Sequence, residues 1–168
     1  MAGLHPDIDP DGLLEYSVVY TDRALNHMSR SFQAVMKDIS RLLKKVFNAG
    51  GVAVVPGSGT FGMEAVARQF ATKQKCLVIR NGWFSYRWTQ IFETGDIPSE
   101  TIVMKAAPLG KGPASPFAPA PIEKVIAIIE KEKPDLVFAT HVETSAGMML
   151  PESYIKAIAD AVHKEGGM

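Results

Sequence analysis

The stretch Val52-Ala53-Val54-Val55-Pro56-Gly57-Ser58-Gly59-Thr60-Phe61-Gly62-Met63-Glu64-Ala65 decides how this chain is read. A short apolar run passes through small residues straight into a helical pattern, which predicts a strand over 52–55 and a helix over about 60–71. Such a junction suits a phosphate: glycines let the backbone approach an anion, the first helical turn leaves N–H groups unpaired, and the aligned peptide dipoles favour negative charge there. Ser58 and Thr60 add hydroxyl donors. The lysine of a G-x-x-x-x-G-K-[ST] loop and the glycine spacing of the dinucleotide fingerprint are both absent, so neither nucleotide site is indicated. A Gly-Ser-Gly turn also serves simply to reverse a chain, and two further loops bear on that choice.

Working outward, Asn81-Gly82-Trp83-Phe84-Ser85-Tyr86-Arg87 follows an apolar run over 76–80, and His141-Val142-Glu143-Thr144-Ser145-Ala146-Gly147-Met148 follows another over 135–139. Polar and aromatic residues thus gather after strands, where open α/β sheets bind ligands. Helices are expected over 31–47, 83–93 and 152–164, with a strand over 101–104. Residues 106–121 carry Pro108, Pro113, Pro116, Pro119 and Pro121, so they form an extended connection rather than an element interior. Pro121 suits the first turn of a helix with Ile122, Val125, Ile126 and Ile129 on one face, ending before Pro134. Nearly pure apolar strands separated by helices imply a mostly parallel sheet covered on both faces. The last helix feeds no strand, so the domain reads as unfinished.

The chain has 168 residues, enough for one domain or part of one. Eighteen basic and eighteen acidic residues cancel, and no basic cluster stands out, so neither nucleic acid nor an anionic membrane is expected as partner. Cys76 is the only cysteine and sits in an apolar run, which excludes an internal disulfide framework and suits a buried thiol. No apolar stretch approaches the roughly 20 residues that span a bilayer, and the polar N-terminus is unlike a signal peptide; the expected location is cytoplasmic.

Taken in order and spacing, Gly57-Ser58-Gly59-Thr60…Glu64-Ala65, Asn81-Gly82-x-Phe84-Ser85-x-Arg87 and His141-Val142-Glu143-Thr144-Ser145-Ala146-Gly147 resemble the class V pyridoxal-phosphate (PLP) aminotransferases of fold type I. Alanine–glyoxylate, serine–glyoxylate and 2-aminoethylphosphonate–pyruvate aminotransferases are the similar groups, over roughly residues 20 to 168. The resemblance implies an α/β fold, the partial large domain of a fold type I PLP-transferase, with residues 1–30 as an N-terminal arm and 31–168 as an incomplete PLP-binding domain. It places the cofactor phosphate on Ser58, Gly59 and Thr60. It sets Phe84, with Trp83 as competitor, against the cofactor ring, and Ser145, with Thr144 beside it, near the ring oxygen.

The resemblance also implies a homodimer and, as substrates, a small amino acid and a 2-oxo acid such as glyoxylate or pyruvate. His141 is read as structural, Glu64 and Arg87 as either an ion pair or solvated charges, and no metal is implied. In relatives, the lysine that carries PLP and the acid that pairs with its ring nitrogen lie beyond the position of Met168, so no catalytic residue is assigned. The alternatives are a noncatalytic module for a phosphate ligand or a protein, and a fragment of a class V PLP lyase or desulfurase.

Overall fold

The computed structural model describes residues 30–168, which divide between Val55 and Pro56 into two compact units. In the first, α1 (Arg30–Phe47) carries its apolar residues on one stripe and Lys44 and Lys45 in its last turn, where cations suit the negative end of the helix dipole. None of its side chains is buried. Apart from Arg30, the expected arm lies outside the described residues. The strand expected over 52–55 does not form. An apolar run becomes a strand only where a neighbour completes its ladder, and the main sheet holds three other segments.

The second unit alternates helix and strand as the sequence predicts. In order come α2 (Gly59–Phe70), β1 (Lys75–Arg80), α3 (Trp83–Gly95) and β2 (Glu100–Lys105). The proline-rich connection holds only a two-residue pair, β3 (Ala107–Pro108) with β4 (Phe117–Ala118). Then follow α4 (Ile122–Glu132), β5 (Leu136–Ala139), the short pair β6 (Val142–Glu143) and β7 (Met148–Met149) around a 3-10 turn at Thr144–Ala146, and α5 (Glu152–Lys164).

β1 lies between β2 and β5, parallel to both, with Lys75 opposite Glu100 and Cys76 opposite Leu136. Because side chains alternate along a strand, β1 splits the core in two. Cys76 and Val78 pack with Leu136, Phe138 and Phe92 beside α2 and α3, while Leu77 and Ile79 pack with Val125, Ile129, Ile158 and Val162 from α4 and α5. Phe92 and Phe138 meet edge to face at 5.1 Å between centroids, worth about 0.5–1.5 kcal/mol beyond the area they bury. Burial first, then the nearby Asp135 charge, pushes the Cys76 thiol up to about 11, which suits an inert core residue.

Among the described residues, the outer edge of β5 is engaged only at its start, where Met168 donates its N–H to Asp135 O at 2.9 Å and accepts from the Val137 N–H at 2.8 Å. No helix among the described residues is long and apolar enough to cross a membrane.

Candidate functional site

The site grows from two helix starts and the loop after β5. Ser58 is the N-cap of α2, with extended backbone, and its side chain makes no capping hydrogen bond. Its carbonyl accepts from the Phe61 N–H at 2.9 Å and the Gly62 N–H at 3.4 Å. Among the described residues, the Gly59 and Thr60 N–H groups have no partner. A Cβ built on Gly59 meets nothing within 4 Å, so the space before these amides is open. Gly57 enters the turn at φ +145, which only glycine adopts without strain, and a Cβ there would stand 3.0 Å from Phe61 Cβ. Open amides, an unbonded Ser58 hydroxyl and no acid in the first turn leave the α2 start with the donors that an anion would need.

The α3 start is built the other way. Glu143, fully buried, reaches it from β6: Oε1 accepts from the Phe84 N–H at 3.1 Å, and Oε2 from the Ser85 N–H at 2.8 Å and the Ser85 hydroxyl at 2.7 Å. The Ser145 hydroxyl also donates to Oε1 and accepts from the Trp83 N–H at 2.8 Å. Burial would raise the Glu143 carboxyl, but the hydrogen bonds from Ser145 and Ser85, with those from the backbone, outweigh it and hold the group below the ordinary carboxylate range. Gly82 makes this approach feasible, since a Cβ there would lie 2.6 Å from Ser145 Oγ and 2.7 Å from Glu143 Cγ.

Arg87, on the next turn of α3, ties the two starts together. Its Nη1 donates to Thr60 Oγ1, and its guanidinium carbon lies 5.9 Å from the Phe84 ring centroid. Of the two readings of Glu64 and Arg87, the ion pair does not form: Glu64 bonds Arg68 at 2.8 Å, its neighbour one helical turn on, because i,i+4 side chains face each other. Phe84, 41% exposed, lines an apolar groove of about 630 Å³ with Met63, Val66, Trp88 and Phe138. Trp83 faces a different cleft, beside Arg80, Tyr86 and Lys105. Phe84 therefore shares a face with α2, whereas Trp83 does not.

The structure thus connects Thr60, through Arg87, to Phe84, and connects Ser145, through Glu143 and Trp83, to the same helix start. Thr144 is exposed on the 3-10 turn, and its carbonyl accepts from the Gly147 N–H at 3.3 Å. His141 lies at the loop's edge, where its carbonyl accepts from the Leu150 N–H at 2.8 Å. Glu143 is the residue that sequence reasoning missed. It appeared only as a letter in a loop, and its partners on α3 stand 58 and 59 residues away. No group of residues able to hold a metal occurs among the described residues.

The parallel sheet flanked by helices has counterparts among aminotransferases. No model of a protein family matches the chain. It is 27% identical over 141 residues to the L-aspartate–glyoxylate aminotransferase of Paracoccus denitrificans (strain Pd 1222), a match covering 82% of this chain and 34% of that protein. Serine–glyoxylate aminotransferase of Hyphomicrobium methylovorum is 33% identical over 125 residues, covering 71% of this chain and 28% of that protein. Among solved structures, ureidoglycine–glyoxylate aminotransferase from Bacillus subtilis superposes with a TM-score of 0.65 at 24% identity, over 82% of this chain and 33% of that one. The expected resemblance is borne out, and the fold is that of these aminotransferases in part. The chain spans about a third of the length of the relatives it matches.

Proposed function

We propose that residues 1–168 are the N-terminal part of a class V PLP-dependent aminotransferase that moves an amino group from a small amino acid to a 2-oxo acid such as glyoxylate or pyruvate. In this reading residues 1–30 are an arm and 31–168 the incomplete large domain of a cytoplasmic homodimer. The observation that carries it is the α2 start, whose two unpartnered amides and free Ser58 hydroxyl fit a phosphate.

Gly59 and Thr60 would hold the PLP phosphate through their N–H groups, and Ser58 and Thr60 through their hydroxyls. When bound, PLP supplies the electron sink that amino transfer needs. Phe84 offers the ring face on the groove it shares with Met63 and Val66. Ser145 has its proton committed to Glu143, so it would meet the ring oxygen as an acceptor, while the exposed Thr144 hydroxyl is the donor beside it. Neither Lys164, which bonds Glu130 at 3.3 Å, nor Lys105, at the end of β2, is given the role of carrying PLP.

The test is borohydride reduction of the protein from its native source after incubation with PLP, followed by peptide mapping. One PLP on a single lysine outside residues 1–168 is the expected result. Substoichiometric labelling scattered over surface lysines, with none preferred, would overturn the assignment.

A further inference from the structure

Arg87 lies 27 residues from Thr60 in sequence, yet its Nη1 donates to the Thr60 hydroxyl. An oxygen accepting from a guanidinium must turn its own hydrogen elsewhere, so the Thr60 O–H is left to donate to whatever occupies the α2 start. The charge of Arg87 is also uncommitted. Glu64, the carboxylate lining the same cleft of about 360 Å³, is taken by Arg68, and no carboxylate pairs with Arg87 among the described residues. A guanidinium has five N–H donors, and Arg87 faces the cleft with Thr60.

We propose that Arg87 is a positioning residue of the phosphate cradle. It orients the Thr60 hydroxyl for a phosphate oxygen and adds a positive charge that no carboxylate among the described residues neutralises, so the cradle selects a phosphate ester over its dephosphorylated counterpart. Through its contact with Phe84 the same side chain links the grip on the phosphate to the ring face. The inference rests on the reading of the α2 start as a phosphate site.

Pyridoxine 5′-phosphate is the suitable probe, because it lacks the aldehyde that reacts with lysines; pyridoxine is its dephosphorylated control. Calorimetric titration of the chain should show the phosphate form binding far more tightly. Arg87→Gln should weaken that binding about tenfold, the loss expected for a charge-assisted hydrogen bond, and weaken pyridoxine binding much less. Arg87→Lys should recover part of the loss, since it keeps the charge but not the planar fork. Thr60→Val combined with Arg87→Gln should lose less than the product of the two single losses, because the two groups act through one hydroxyl.

Arg87→Gln binding with wild-type affinity, or losses that simply multiply in the double variant, would overturn the role of Arg87 while leaving the cradle standing. Failure of the unaltered chain to prefer the phosphate form would overturn both. Should Arg87→Gln not fold, judged by far-ultraviolet circular dichroism, Arg87→Lys and Thr60→Val decide the matter by the same comparison.

Discussion

The starts of α2 and α3 face the same electrostatic problem and solve it in opposite ways. At α3 the exposed amides are answered from within: Glu143 and Ser145 take the N–H groups of Trp83, Phe84 and Ser85, leaving nothing for a ligand. At α2 no acid stands in the first turn, the cap residue makes no capping bond, and two amides wait unpaired. A closed helix start contributes to stability, whereas an open one gives up that contribution and leaves its amides available. The fold places one of each side by side and joins them through Arg87.

Breaking the closed start should have the largest effect. Glu143→Ala removes the acceptor of the Phe84 and Ser85 amides and of the Ser85 and Ser145 hydroxyls, so a loss of about 2–4 kcal/mol is expected, read as a shift in urea midpoint. The same carboxylate sets an acid limit. Its folded pKa lies below the ordinary value, so its contribution is complete above the ordinary carboxylate range and is lost as pH falls through the lowered one. Unfolding free energies measured between neutral and acid pH should therefore fall more steeply for the unaltered chain than for Glu143→Gln. Equal slopes would show that Glu143 is not the group held below its usual range.

A smaller effect is expected where the closed start is merely crowded. Gly82→Ala places a Cβ within 2.8 Å of Glu143 and Ser145 atoms, and displacing them should cost about 1–3 kcal/mol by the same measurement. The backbone of Gly82 is extended, so the cost reports contact with Glu143 rather than backbone strain. The Glu143→Ala background should then accept Gly82→Ala with a much smaller further loss. Additive losses would mean that Gly82 acts through something other than Glu143.

These two starts also mark how far the sequence can be read. The open α2 start was legible because everything it needs is local: small residues, a cap position and the absence of an acid, all within a few residues of Ser58. The α3 cap was not, because Glu143 and Ser85 meet only after β1 and β5 have paired in register, and nothing near either residue announces the other. The same limit explains the run Val52–Val55, whose composition suits a strand while strand formation depends on a distant partner. Glu64 marks the reverse case, since the local i,i+4 spacing to Arg68 was in the sequence and outweighed the longer-range pairing with Arg87.

The comparison is sharpest when one start is converted into the other. Ser58→Asp supplies α2 with the acid it lacks, at a position whose side chain is exposed and makes no capping bond. An N-cap aspartate can accept from the waiting Thr60 amide and suits the positive end of the dipole, so stability should rise by about 0.5–1 kcal/mol. Binding of pyridoxine 5′-phosphate should fall to the level of pyridoxine, because the carboxylate both occupies the Thr60 amide and repels the phosphate. A variant that becomes more stable yet keeps its preference for the phosphate form would show that the anion is held elsewhere. A variant that loses binding without gaining stability would show that the aspartate repels the ligand but does not cap the helix, and that the Thr60 amide is closed to a side chain at position 58.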